Sequence, residues 1–88
     1  MWPDTYLELR AVYGEAERLS GEIRCALGLR SERAVALAAE EAELAGRYRR
    51  VVPHESRGVT DLTADCKARI ARLQANPDLP PEMRPGGR

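Results

Sequence analysis

The sequence predicts an all-α fold, in which a long antiparallel helical hairpin and a shorter third helix form a coiled-coil-like three-helix bundle. Apolar residues recur at alternating steps of four and three along the first part of the chain. A Gly-Leu-Arg-Ser stretch at residues 28–31 then interrupts this pattern. The composition favours good helix formers (Ala, Leu, Glu and Arg) and contains no Phe. With 88 residues the chain should form one domain, placed at residues 1–75.

The first helix is predicted over about residues 4–27. Val12, Leu19 and Ala26 widen its apolar seam to one side, so this helix can contact two neighbours. Thr5 and Glu8 have the spacing of a capping box, which would satisfy free backbone N–H groups at the start of the helix. The seam itself has a period of 3.5 residues and comprises Trp2, Tyr6, Leu9, Tyr13, Ala16, Ser20, Ile23 and Leu27.

The turn of the hairpin is predicted at residues 28–31. Gly28 fits the left-handed position that ends many helices, and Leu29 can make the hydrophobic contact that often follows. Ser31 fits the N-cap of a second helix over about residues 32–51, which Pro53 stops. Because the connection is so short, the two helices should be antiparallel neighbours.

The third helix is predicted at 61–75, after a loop at residues 54–58. Thr60 fits its N-cap, and Asn76 followed by Pro77 fits its end. The remaining residues, within 76–88, are rich in Pro and Gly and contain too little apolar surface for a core. They are predicted to be a disordered tail.

The predicted helix lengths indicate where a partner could bind. At about 1.5 Å per residue, the helices should measure about 36, 30 and 23 Å. The third helix should start at the end opposite the turn and stop short of it, which would leave apolar residues near the turn uncovered. Exposed apolar patches often mark interaction sites. The predicted partner or self-association residues are therefore Ile23, Leu27, Leu29, Val35 and Leu37.

Composition narrows the classes of function. The 14 basic and 14 acidic residues balance, which argues against nucleic acid as the main partner. No apolar run approaches the roughly 18 residues of a membrane span, and no signal peptide is recognisable, so a cytoplasmic location is expected. Cys25 and Cys66 should lie about 20 Å apart along the bundle, too far for a disulfide. Cys66 is predicted to be a core residue and Cys25 a semi-exposed thiol.

No catalytic, cofactor-binding or metal-binding constellation is predicted. His54 is the single histidine, and its neighbours Glu55 and Ser56 cannot converge on it as a catalytic triad requires. One histidine with two distant thiols also lacks the paired ligands of a zinc site. The one basic cluster is a candidate for anion or nucleic-acid contact and comprises Arg47, Arg49, Arg50 and Arg57. Helix-dipole complementation by solvated arginines is the favoured explanation of this cluster.

The sequence therefore predicts a small non-enzymatic protein–protein interaction module that acts through helix packing. It would either self-associate, with two hairpins meeting as a four-helix core, or dock a partner helix. As a fold-level analogy only, the architecture resembles small helical adaptors, including the chaperones of flagellar and type III export. A secretion chaperone or adaptor is therefore one alternative function. A nucleic-acid-associated regulator that uses the basic cluster is a second.

Overall fold

The computed structural model describes residues 1–28 and 30–75 as a bundle of three helices. They are α1 (Asp4–Leu27), α2 (Glu32–Arg50) and α3 (Ser56–Gln74). The predicted all-α, three-helix fold is confirmed. Leu29 and the predicted tail at 76–88 lie outside the described residues.

Helix α1 is the central element of the bundle, because it packs against both α2 and α3. The seam that the spacing predicted faces inward: its members from Leu9 to Ile23 are buried or half-buried, and only Trp2 at its start is exposed. The predicted widening of the seam is confirmed at Val12 and Leu19, whereas Ala26 is exposed. Two neighbours can therefore share one amphipathic helix.

The start of α1 is capped by backbone hydrogen bonds and not by a side chain. At the start of α1, the carbonyl oxygen of Pro3 accepts hydrogen bonds from the N–H groups of Tyr6 and Leu7 at 3.0 and 3.1 Å. The predicted Thr5–Glu8 capping box is wrong, because Pro3 occupies the N-cap and no side chain caps this end. The helix begins at Asp4, so Thr5 already lies in its first turn.

The turn between α1 and α2 forms as predicted. Gly28 has a φ of +92°, a conformation that side-chain-bearing residues rarely adopt. Ser31 is the N-cap of α2, and its Oγ accepts a hydrogen bond from the N–H of Ala34 at 3.1 Å. The same hydroxyl donates to the carbonyl of Gly28 at 3.0 Å, which ties the two helix ends together.

Helix α3 starts earlier than the sequence predicted. The expected loop at 54–58 and the expected N-cap at Thr60 are wrong, because the helix begins at Ser56 with Glu55 as its N-cap. Gly58 favours a loop by its intrinsic propensity, but Val59 beside it is fully buried in the core. Burial of Val59 against the bundle outweighs the cost of one glycine in the first turn.

The earlier start makes α3 as long as α2, with 19 residues in each helix. Helix α3 therefore reaches the turn end of the bundle, where Leu73 packs with Leu19, Ile23 and Leu37. The predicted lack of cover is wrong for Ile23 and Leu37, which are both buried. Leu27 is half-buried and packs against the same cluster.

Two apolar clusters fill the bundle along its axis. The first apolar cluster lies toward the end opposite the turn and comprises Leu9, Ala16, Leu44, Val59, Leu62 and Cys66. The second apolar cluster lies at the turn end and comprises Leu19, Ile23, Leu37 and Leu73. Ile70 packs against both clusters. Between them, each helix contributes polar residues to the interior.

Candidate functional site

Of the predicted partner residues, only Val35 is strongly exposed among those that the structure describes. Its relative accessibility is 59%. Ala38, Ala39 and Ala42 are also exposed, at positions three, four and seven residues further along α2. This spacing places all four on one side of the helix. We call Val35, Ala38, Ala39 and Ala42 the outer strip of α2.

Charged residues lie at both ends of the outer strip. Glu32 occupies the first turn of α2, whereas Arg49 lies in the last turn. Gly46 follows Ala42 by four residues, so it continues the strip toward Arg49. Gly46 has no side chain of its own, and the guanidinium groups of Arg49 and Arg50 cover it.

The predicted basic cluster is only partly available for ligands. Arg47 forms an ion pair with Asp65 of α3, with Nη2 and Oδ2 at 2.7 Å. Arg49 and Arg50 lie over Gly46, and Arg57 is exposed in the first turn of α3. Arg47 and Arg50 line one concavity of about 250 Å³, which also contains Glu55, whereas Arg49 and Arg57 do not line it.

Polar side chains from all three helices meet between the two apolar clusters. We call this set the polar layer; it comprises Ser20, Arg24, Glu40, Glu41 and Arg69. Ser20 is fully buried and Arg69 is only 5% exposed. A buried charge is costly unless it is paired, so the contacts within this layer decide its effect on stability.

A chain of hydrogen bonds connects the members of the polar layer. The Ser20 hydroxyl donates to Glu41 at 2.6 Å and accepts from Nη2 of Arg69 at 3.1 Å. Arg24 donates to both carboxylate oxygens of Glu41, at 2.5 and 3.0 Å. Nη1 of Arg69 pairs with Glu40, which leaves Nε of Arg69 as a buried donor without a partner. The layer thus links α1 to both other helices.

The electrostatics of the polar layer favour its charged form. Burial alone would raise the pKa of Glu41, but hydrogen bonds from Arg24 and Ser20 outweigh burial and hold that pKa below its usual value. Hydrogen bonding to Glu41 in turn raises the pKa of Arg24. Glu41 and Arg24 therefore remain an ion pair at neutral pH.

All the aromatic residues of the chain form a row along the α1–α2 seam. The rings of Tyr13 and Tyr48 stack with their centroids 4.1 Å apart. The rings of Tyr6 and Tyr48 also stack, with their centroids 6.3 Å apart. Trp2 contacts Tyr6 and also His54, at 5.2 and 6.1 Å between centroids. These ring contacts fasten α1 to α2 and to the following loop, while Trp2 itself remains 47% exposed.

Two of the side chains that could act as nucleophiles lie in the core. Ser20 and Cys66 are fully buried, and burial raises the pKa of the Cys66 thiol. Cys66 is thus a core residue, as predicted, and Cys25 is exposed. Among the described residues, no group of three His, Cys, Asp or Glu side chains could hold a metal ion. None of the described helices combines the length and the apolar character needed to cross a bilayer.

The concave surface between α2 and α3 is shallow and balanced in charge. One concavity has a volume of about 310 Å³, and its polar lining comprises Glu40, Glu43, Arg47, Asp65, Arg69 and Arg72. Three carboxylates face three guanidinium groups there, so the concavity does not favour an ion of either sign. It is at the lower limit of the roughly 300–1,000 Å³ that is typical of small-molecule sites.

Sequence reasoning missed the outer strip and the polar layer. Ala38, Ala39 and Ala42 are exposed beside Val35, although none of the three was among the predicted partner residues. Arg69 of α3 is buried, although no pattern in the sequence predicted it in the core. Helical phase could have located the strip, because Val35 and Ala42 lie two turns apart on the side opposite Leu37 and Leu44.

Comparison with known proteins gives no relative for this chain. No protein-family model, no curated protein and no solved structure matches it. The functional argument therefore depends on the geometry of the described residues.

Proposed function

We propose that this protein is a non-enzymatic interaction module that docks another helix on the outer strip of α2. The observation that carries the proposal is a run of exposed apolar side chains at helical spacing, with Val35 as its largest member. The opposite side of α2 already supplies Leu37 and Leu44 to the core. A helix that is apolar on two sides gains free energy when the second side is also buried.

The proposal of a non-enzymatic role is supported by the positions of the histidine and of two potential nucleophiles. Ser20 and Cys66 cannot be reached by a substrate without opening the core. His54 is exposed, but its ring contacts Trp2. Helix docking needs none of these groups. It needs only apolar area and a close approach of two backbones, which small side chains such as alanine allow.

The same surface chemistry suits the two kinds of occupant that the sequence suggested. A second copy of the chain could provide the helix, and so could an amphipathic segment of a client, as in an export chaperone or adaptor. The nucleic-acid alternative has less support, because Arg47 is paired with Asp65 and only two of the four arginines, Arg47 and Arg50, line a common concavity.

The test is to place a charge in the outer strip. Val35→Asp should abolish assembly, because docking would bury an unpaired carboxylate. Leu7→Asp is the matched control, since Leu7 is a comparably exposed residue, at 44%, on α1. Assembly is measured by sedimentation of the purified chain over a wide concentration range, and by capture of partners from the source cell with each variant as bait.

The two variants give distinct outcomes. Loss of self-association or of a captured protein with Val35→Asp, but not with Leu7→Asp, supports the proposal. Equal loss in both variants places the contact elsewhere and contradicts it. A chain that neither self-associates nor captures any protein in a Val35-dependent way also contradicts it. Circular dichroism checks that both variants remain helical.

A further inference from the structure

The identity of the docked helix can be inferred from the charges and the shape of the outer strip. This step rests on the proposed function. We infer that the occupant is α2 of a second copy of this chain, bound antiparallel about a two-fold axis that passes between Ala39 and Ala42. Two α1–α2 hairpins would then form a four-helix core.

The order of charges along α2 selects the antiparallel direction. Glu32 lies in the first turn, whereas Arg47, Arg49 and Arg50 lie in the last. A parallel pair of α2 helices would bring the arginines of the two last turns together. An antiparallel pair instead brings Glu32, which stands beside Arg33 in the first turn, to the basic last turn of the other helix, and it also opposes the two helix dipoles. A two-fold contact of this kind is self-complementary by symmetry.

One register matches both the charges and the sizes of the side chains. When Ala39 lies opposite Ala42 of the second copy, Glu32 lies opposite Arg49 of that copy. In the same register, Val35 lies opposite Gly46. Val35 is the largest side chain of the strip and Gly46 has no side chain, so each valine meets a space between two alanine-lined helices. Small residues at the contact allow an interaxial distance near the lower end of about 8–10 Å.

The cover over Gly46 in the single chain is movable. A Cβ added at Gly46 would meet Nη1 of Arg50 at 3.3 Å and Nη2 of Arg49 at 3.9 Å. Both atoms are the ends of long, flexible side chains rather than backbone. The Arg49 side chain can turn toward Glu32 of the second copy, which would uncover Gly46 for the incoming valine. The space for Val35 and the ion pair between Glu32 and Arg49 would therefore form in the same step.

The size of the contact sets the concentration at which it should be sought. One helix face on another buries less than the roughly 1,200–2,000 Å² of standard interfaces. We therefore expect a dissociation constant in the range from about 10 µM to 1 mM. Sedimentation equilibrium should cover that range at low salt, because charge pairs at an exposed rim are screened.

A charge exchange tests the direction and the register. Glu32→Arg and Arg49→Glu should each weaken dimerisation by about tenfold, because each two-fold dimer contains the pair twice. The double variant Glu32→Arg/Arg49→Glu should restore the dissociation constant to within about threefold of the original, a difference under 1 kcal/mol. Asp61→Arg, a similar charge reversal on an exposed residue of α3, should have no such effect.

A second variant tests the valine site without changing charge. Gly46→Leu should fill the space opposite Val35 and abolish dimerisation. Gly14→Leu is its control, since an added Cβ at Gly14 meets no atom within 4 Å. Thermal unfolding of each monomer, followed by circular dichroism, separates a lost contact from a lost fold.

The outcomes separate this inference from the proposed function. A dimer that ignores both single charge reversals, or that the double variant fails to restore, overturns the antiparallel register and leaves the docking function standing. A chain that is monomeric throughout but captures a protein through Val35 overturns the second copy as the occupant. Monomeric behaviour without Val35-dependent capture overturns both.

Discussion

The first apolar cluster and the polar layer lie next to each other under α1, yet they hold the helices together by different physics. In the first apolar cluster, Leu9, Val59 and Cys66 exclude solvent completely. In the polar layer, Ser20 is equally buried, but its contacts are directional hydrogen bonds to Glu41 and Arg69. Two adjoining regions of the bundle are therefore held by different kinds of contact.

The difference teaches how stability and register can be divided within a small bundle. Apolar burial supplies most of the free energy of folding but tolerates sliding of one helix along another. A hydrogen-bonded polar layer adds little net free energy, because desolvation offsets much of its attraction. Its geometry is satisfied in one alignment only, and for this bundle we expect that alignment to fix the register.

The largest expected effect comes from opening the first apolar cluster. Leu9→Ala should lower the free energy of unfolding by about 2–5 kcal/mol, because it removes buried surface and leaves a cavity. Leu7→Ala, two residues away and exposed, should change it by less than about 0.5 kcal/mol. Urea denaturation followed by circular dichroism measures both. Equal effects in the two variants would contradict the assignment of Leu9 to the core.

The apolar clusters could be predicted from the sequence, because each position depends on local spacing. The steps of four and three along α1 place Leu9, Ala16 and Ile23 inward whatever their partners are. The polar layer could not be predicted in the same way. Ser20 and Arg69 are 49 residues apart and meet only once the bundle has formed. A buried arginine also contradicts the usual exposure of that residue type.

The predicted interaction surface failed for a traceable reason. Placing the start of α3 at Asp61 rather than Ser56 shortened the helix by more than one turn. That error left Ile23 and Leu37 without cover in the predicted bundle, although Leu73 packs against both. Local propensity at Gly58 decided the prediction, whereas tertiary burial of Val59 decides the structure. Val35 remained exposed because its position depends only on the phase of α2.

A smaller effect should follow from removing the centre of the polar layer. Ser20→Ala deletes one hydroxyl and leaves Nη2 of Arg69 without an acceptor, beside an Nε that already lacks one. An unsatisfied buried group costs about 1–3 kcal/mol, so the free energy of unfolding should fall by that amount. Urea denaturation again measures the change.

The control for the polar layer is a serine outside it. Ser56→Ala at the exposed start of α3 should change the free energy of unfolding by less than about 0.5 kcal/mol. If Ser20→Ala is as harmless as Ser56→Ala, the hydrogen bonds of the layer contribute nothing to stability. If it is more harmful than Leu9→Ala, the division between apolar stability and polar register is wrong.

The smallest expected effect, and the one that most sharpens the comparison, is a dependence on pH that arises from the polar layer. The Glu41 side chain is 13% exposed, and its pKa in the folded protein is held below its usual value because Arg24 and Ser20 outweigh the effect of burial. A carboxylate with a lowered pKa stabilises the fold above its unfolded-state pKa of about 4.3, and this contribution is lost as the pH falls through the folded pKa.

Glu41→Gln should therefore lower the melting temperature at pH 7, and the difference from the natural protein should shrink toward pH 3. Glu22→Gln, at a side chain that is 42% exposed, is the control and should lower the melting temperature at pH 7 by less than Glu41→Gln does. A constant difference for Glu41→Gln across this range would mean that the carboxylate acts through shape alone, and the polar layer would then hold the helices by the same non-directional packing as the first apolar cluster.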